Sequence, residues 1–150
     1  MRFGISAAAV IVQDERILLL NHTEEGSYDF WTPPGGRLDG TESIFDCAAR
    51  EAFEETGLQV ELDRILYIQE LLSPGYHLCK FFVLSKAFSG ALTLANKTRE
   101  ESFLREARFF SRDALQGLTV HPEILKGQFW ADLRSVQPIT RYLGQHEMQF

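Results

Sequence analysis

Polar and apolar positions along the chain change rhythm in a way that separates strands from one prominent helix. Runs that are apolar or alternate with a period of two predict strands near residues 4–13, 16–22, 29–32, 58–70, 77–86 and 105–111. Asp14 and Glu15 between the first two runs mark a hairpin. Between the third and fourth strands the period lengthens to that of a helix. Thr41 or Ser43 is placed to cap its exposed amides, and Gly57 suits the left-handed position past its end. Two later helices are predicted, one after Ser111 and one in which Pro122 leads into Ile124, Leu125, Phe129 and Leu133. Strands in this order around one helix make a mixed sheet and an α/β fold class.

The helix carries Glu51, Glu54 and Glu55 within one turn. At about 100° per residue these carboxylates share a narrow arc, and Phe45, Ala48, Ala49, Ala52 and Phe53 gather on roughly the opposing side. The expectation is one face for core and one for chemistry. Three crowded carboxylates repel one another unless something neutralises them, and a hard divalent cation does so. Ahead of the helix, Trp31-Thr32-Pro33-Pro34-Gly35-Gly36 joins stiff prolines to glycines that allow close backbone approach, so that a bare carbonyl there can serve as a ligand. A solvated acidic helix face, the usual fate of charge runs, explains neither the paired glycines nor the spacing.

Composition narrows the picture further. A length of 150 residues, 45% of them hydrophobic, with no proline- or serine-rich linker, predicts a single domain over residues 1–150. The apolar start, 4–12, is read as a strand and not a signal sequence, because Asp14 and Glu15 interrupt it and a second apolar run follows. No run is long enough to span a bilayer, so no membrane partner is expected and the protein is placed in the cytoplasm. A net charge of −6 without a basic block argues against a groove for long nucleic acid and leaves an anionic substrate in need of metal. The two cysteines, Cys47 and Cys79, have no C-x-x-C spacing; a reducing compartment is expected, with Cys47 as packing instead of nucleophile. His22, His77, His121 and His146 lack zinc-binding spacing.

Written as a pattern, the segment from Gly36 to Leu58 reads G-x5-E-x7-R-E-U-x-E-E-x-G-U, with U apolar, met by Gly36, Glu42, Arg50, Glu51, Ala52, Glu54, Glu55, Gly57 and Leu58. It resembles the signature of the Nudix hydrolases; Ala52 is the weakest fit, since larger aliphatics are common there. The resemblance implies an α/β/α sandwich with a central mixed β-sheet held between the motif helix and the helix after Pro122. It also implies Glu51, Glu54 and Glu55, with the Gly35 carbonyl, as ligands of Mg²⁺ or Mn²⁺, and hydrolysis of a pyrophosphate bond. The substrate class is a nucleoside diphosphate linked to another group, giving a nucleoside monophosphate and a phosphorylated remainder. ADP-ribose or a nucleotide sugar is favoured over a (deoxy)nucleoside triphosphate.

Within that reading Arg50 orients Glu54 by an ion pair four residues on, and Glu42 is structural, near the helix start where negative charge is favoured. Glu51 is the first choice of general base. Glu100 and Glu101, in the polar stretch 96–102, offer a later acid, with Glu101 carried as the catalytic candidate; an ordinary polar loop is the alternative. Tyr28, Phe30, Tyr76 and Phe103 are candidates to stack on a base, against the alternative that each is core. His22 and Arg37 are candidates to contact base or phosphate. Two other readings stay open: a nucleotide-binding regulatory module without catalysis, and removal of an RNA cap or 5′-pyrophosphate, against which the acidic balance argues. A homodimer is compatible with the sequence.

Overall fold

The computed structural model describes residues 1–96 and 104–148, and of Arg105 only the backbone. Two sheets carry its strands. The first is mixed and has the order β5-β1-β7-β6-β9, where β1 is Arg2–Val10, β5 Gly35–Arg37, β6 Gln59–Ser73, β7 Tyr76–Ser89 and β9 Arg141–Glu147. In it β1 runs parallel to β7 and β9 parallel to β6, with the remaining pairs antiparallel. The second sheet is antiparallel: β3 (Arg16–Glu24) pairs with β2 (Val12–Gln13), with β4 (Tyr28–Thr32) and with β8 (Leu104–Ser111). At Ile11 the chain leaves one sheet for the other, and the Ile11 carbonyl accepts a hydrogen bond from the Leu18 amide at 2.9 Å, tying the two together.

The unbroken apolar runs have a physical reason. Ala7 through Ile11 and Ile17 through Leu20 are fully buried on both faces of their strands. Ala8, Val10 and Leu19 join Leu66, Phe82, Leu125 and Phe129 in one core layer. Ala7, Ala9 and Leu18 join Val83 and the Cys47, Ala48 and Ala52 face of α1 (Ile44–Thr56) in the other. Each such aliphatic side chain taken from water contributes roughly 1.5–3 kcal/mol. The result is the expected α/β/α layering, with the central β layer split into two sheets instead of one.

Differences from the sequence expectations cluster late in the chain. The helix expected after Ser111 is a single 3-10 turn, Asp113–Leu115, and the one expected after Pro122 is a 3-10 turn, Glu123–Lys126, then a short α2, Phe129–Arg134. Gly127, at φ −141 and ψ −100, separates the two. β5 and β9 were not expected: β5 is only three residues long, and β9 is largely exposed, so neither shows a hydrophobic period. α1 ends as predicted, with Ser43 as the cap, its Oγ accepting from the Asp46 amide at 3.0 Å, and Gly57 left-handed at φ 77. Among the described residues no helix is long and apolar enough to cross a membrane.

Buried polar contacts fix α2 to the first sheet. Asp132 accepts hydrogen bonds from the Tyr67 hydroxyl at 2.7 Å and from Arg141 at 2.9 Å through both Nε and a terminal nitrogen. Burial alone would raise the Asp132 carboxyl, but donors from Arg141, Tyr67 and Gln128 outweigh it and hold the group below the usual range. Asp132→Ala strands the Tyr67 hydroxyl and removes the Arg141 partner, and is expected to cost about 2–3 kcal/mol, Arg141 being partly in water. Urea unfolding at neutral pH measures it; Tyr67→Phe, which leaves Arg141 paired, should cost less.

Candidate active site

Two glycines without side chains allow α1 to lie against β5. A Cβ added at Gly35 would stand 2.6 Å from the Ala8 Cβ and 2.7 Å from the Ala7 carbonyl, and one at Gly36 would stand 2.5 Å from the Glu51 carboxyl carbon. The space that side chains would fill is taken by β1 on one side and by a carboxylate on the other. Glu55, 2% exposed, accepts the Gly35 amide hydrogen at 2.7 Å.

The expected division of α1 into a core face and an opposing acidic face is therefore corrected. Glu51 and Glu55 are buried on the same stripe as Cys47, Ala48 and Ala52, while Phe53, placed in the core by the sequence reading, is 42% exposed. The stripe crosses apolar β1 and then polar β5 backbone, so apolar and acidic residues alternate along one contact face. Cys47 packs in the core as expected; its thiol points to the Gly36 carbonyl at 3.4 Å, and burial pushes its pKa up to about 12, far from thiolate chemistry.

Arg50 resolves the repulsion among the acids. Its guanidinium donates to both oxygens of Glu42 at 2.6 and 3.0 Å, to Glu51 at 2.9 Å, to Glu54 at 3.3 Å and to the Arg37 carbonyl at 3.1 Å. The same pairing, helped by the Asp39 amide at 2.7 Å, holds the Glu42 carboxyl down to about 2. The Arg50–Glu54 pair foreseen from the spacing is present, but Glu42 is the closer partner. In this arrangement no three His, Cys, Asp or Glu side chains among the described residues are grouped to hold an ion. The donor set nonetheless suits a hard divalent cation: three carboxylates and the backbone of a glycine pair, all oxygen, with Arg50 already occupying the place of positive charge beside two of them.

A cavity of about 410 Å³ opens beside this cluster, lined in part by Gly35, Gly36 and Arg37. One wall is aromatic: Phe30 stacks on His22 at 4.8 Å between ring centroids and meets His121 at 5.1 Å. Burial, then the charges of Lys80 and His121, lowers His22 to about 3, so it is neutral at physiological pH. His22, Phe30 and Arg37, candidates from the sequence, all line the cavity. Tyr28 and Tyr76 do not line it. Tyr28 packs against Phe30 at 5.6 Å, and Tyr76 lies buried beneath the Arg37 guanidinium at 4.7 Å, the packing alternative for both rings. Glu100, Glu101 and Phe103 lie outside the described residues.

Several lining residues escaped the sequence reading, among them Ser6, Gln69, Lys80 and His121. Lys80 had a usable signal, since it stands between Leu78 and Phe82 at positions of the same strand face, an unusual place for an ammonium. His146, Glu147 and Met148 come from β9 and the residue after it, a strand without sequence signature.

Comparison with known proteins shows the family and the fold. A family model described as NUDIX domain matches residues 2–129. The chain is 26% identical over 117 residues to the Danio rerio 8-oxo-dGDP phosphatase NUDT18, covering 78% of this chain and 34% of that protein. It is 27% identical over 70 residues to phosphatase NudJ of Escherichia coli K12, covering 47% of this chain and 45% of the relative. The matches thus span less than half of either relative. Among solved structures, the E. coli ORF135 protein superposes with a TM-score of 0.73 at 21% identity, covering 92% of this chain and 95% of that one. The MutT NUDIX hydrolase of Burkholderia pseudomallei does so at 0.69 and 24%, covering 91% and 100%.

Two substitutions test the cluster itself. Gly36→Ala forces the buried Glu51 carboxylate aside and is expected to cost about 1–3 kcal/mol by overpacking, read by urea unfolding. Glu42→Gln removes a carboxylate whose pKa is depressed in the folded state, so its contribution is complete above the ordinary value near 4.5 and is lost as pH falls toward 2. The variant should be about 1–2 kcal/mol less stable than the parent at pH 7, with the gap closing between pH 4.5 and 2. A gap that stayed constant with pH would show that Glu42 acts through packing and not through charge.

Proposed function

Because this chain belongs to the Nudix family, we propose that it is a metal-dependent hydrolase that cleaves the pyrophosphate bond of a nucleoside diphosphate derivative. One observation carries the reading: Glu51 and Glu55 of α1 stand against a side-chain-free glycine pair that also lines the adjacent cavity, with Glu54 linked to Glu51 through Arg50. Nudix hydrolases generally use divalent metals, and here Glu51, Glu54, Glu55 and the Gly35 carbonyl would hold Mg²⁺ or Mn²⁺. Such an ion supplies charge neutralisation of the diphosphate and a bound water of lowered pKa.

The chain's own residues do the rest. Arg50 keeps the glutamates oriented and offsets their mutual repulsion while the site awaits substrate. Glu51, held against Gly36, accepts the proton of the attacking water. A bond forms between that water oxygen and phosphorus, and the bridging phosphorus–oxygen bond breaks, releasing a nucleoside monophosphate and a phosphorylated remainder. Arg37, on the cavity rim, takes a phosphoryl oxygen. The wall of His22, Phe30 and His121 offers flat ring surface to a base, with His22 uncharged. ADP-ribose, nucleotide sugars and triphosphates remain in the substrate class, and the name of the Danio rerio relative adds oxidised nucleoside diphosphates to the panel to be tried.

Glu54→Gln should leave the fold intact, because Glu54 sits at the partly exposed edge of the cluster. Turnover with Mg²⁺ or Mn²⁺ should fall by about 100-fold or more, the scale of losing a group that acts in the transition state. Product identification across nucleotide sugars, ADP-ribose, nucleoside diphosphates and triphosphates is the assay. Equal rates for variant and parent would end the assignment.

A further inference from the structure

The floor of the cavity is crossed by a row of polar side chains fixed by strand register. Ser6 lies opposite Arg37 on β5 and beside Lys80 on β7, and Lys80 lies opposite Gln69 on β6. All four line the cavity. The rows on either side are apolar at the same strands: Gly4, Leu78 and Leu71 below, and Ala8, Phe82 and Tyr67 above. Polar residues in a buried sheet face are costly unless something answers them, and Ser6 and Gln69 are only 3% and 7% exposed.

Two of the four are cations, and both are donors with no capacity to accept. Arg37 rests over the Tyr76 ring at 4.7 Å and Lys80 over the Phe82 ring at 5.2 Å, and neither side chain forms an ion pair with a described residue. At about 4.8 Å between neighbouring strands, Arg37 and Lys80 stand two strands apart with the Ser6 hydroxyl between them, roughly 10 Å from backbone to backbone. Long side chains reaching inward across that distance can grip one anionic group from both sides. Lys80 also feels the charges of Glu55 and Glu51, which partly oppose the lowering of its pKa by burial, so it stands at the acid-cluster end of the cavity. Gln69 and the apolar Leu71 and Leu78 continue away from that end.

We propose that Lys80 anchors the diphosphate of the substrate, taking a phosphoryl oxygen jointly with Arg37 and Ser6, and that this row binds the diphosphate without metal. The inference rests on reading the cavity as the seat of a nucleoside diphosphate derivative. Lys80 is an anchoring residue that supplements the α1 carboxylates, and Gln69 places the next polar contact on the far side, toward the group attached to the diphosphate. Because the row is set by backbone register, it is present before any ligand arrives.

The test is calorimetric binding of inorganic pyrophosphate, ADP and adenosine to the full chain in excess EDTA, for the parent, Lys80→Met and Lys80→Arg. The parent should bind pyrophosphate and ADP. Lys80→Met should weaken both about tenfold or more, with adenosine unaffected, and Lys80→Arg should recover part of the loss, since it restores charge but not shape. An unchanged thermal midpoint for Lys80→Met shows that the fold is intact. The proposal is overturned if Lys80→Met binds pyrophosphate and ADP as the parent does, if ADP and adenosine are lost alike, or if the parent binds no diphosphate in EDTA. Lys80-dependent binding without hydrolysis under Mg²⁺ or Mn²⁺ would remove the hydrolase reading and leave this inference standing. Hydrolysis that is indifferent to Lys80 in both binding and KM would do the reverse.

Discussion

A single guanidinium makes the candidate site possible. Four carboxylates gather about α1, Glu42 ahead of its start and Glu51, Glu54 and Glu55 in its second half, and bringing like charges together out of water is unfavourable by several kcal/mol unless each finds a partner. Arg50 meets three of them and the Gly35 amide meets the fourth. Its planar fork accounts for the choice of arginine: lysine could neutralise one carboxylate but could not present separate donors to Glu42, Glu51, Glu54 and the Arg37 carbonyl at once. The helix start, the glycine strand and the acids are thereby cross-linked through one side chain.

That cross-link is useful because the layers beneath it are rigid. β1 and β3 are buried on both faces, so alternate residues bind α1 on one side and the α2 layer on the other. β1 is thus the common wall of both core clusters, and β5 is positioned against it by the close Gly35 contact with Ala7 and Ala8. Any shift of β1 moves the glycine pair, the polar row and the helix together. The Asp132 contacts add a second fixed point, joining α2 to β6 and β9 across the other layer.

Much of this architecture is legible in the chain, and what is not has identifiable reasons. Local chemistry wrote the ends of α1, since Ser43 and Gly57 satisfy backbone groups whatever lies around them. The acid spacing likewise marked the cluster. Rotational position on the helix was misread at Phe53 and Glu51, because a helical wheel assumes that burial follows apolarity, whereas here two carboxylates are buried against bare backbone. Tyr76, a stacking candidate in the sequence, has its place decided by the missing side chain of Gly4 on the adjacent strand, where a Cβ would collide with the Tyr76 hydroxyl. Lys80 and Ser6 are brought together by parallel pairing of β1 with β7, a long-range register that no local pattern encodes. β9, exposed and at a sheet edge, carries no apolar rhythm at all.

The acids and the polar row are borne by different elements, the first by α1 and the second by strands β1, β5, β6 and β7. Substitution at residue 80 or residue 69 therefore breaks no hydrogen bond of the crowded Arg50 network, and reaches the acids through charge alone. A chain built this way can change what lines its cavity by a few strand substitutions while the acidic helix keeps every contact to its guanidinium.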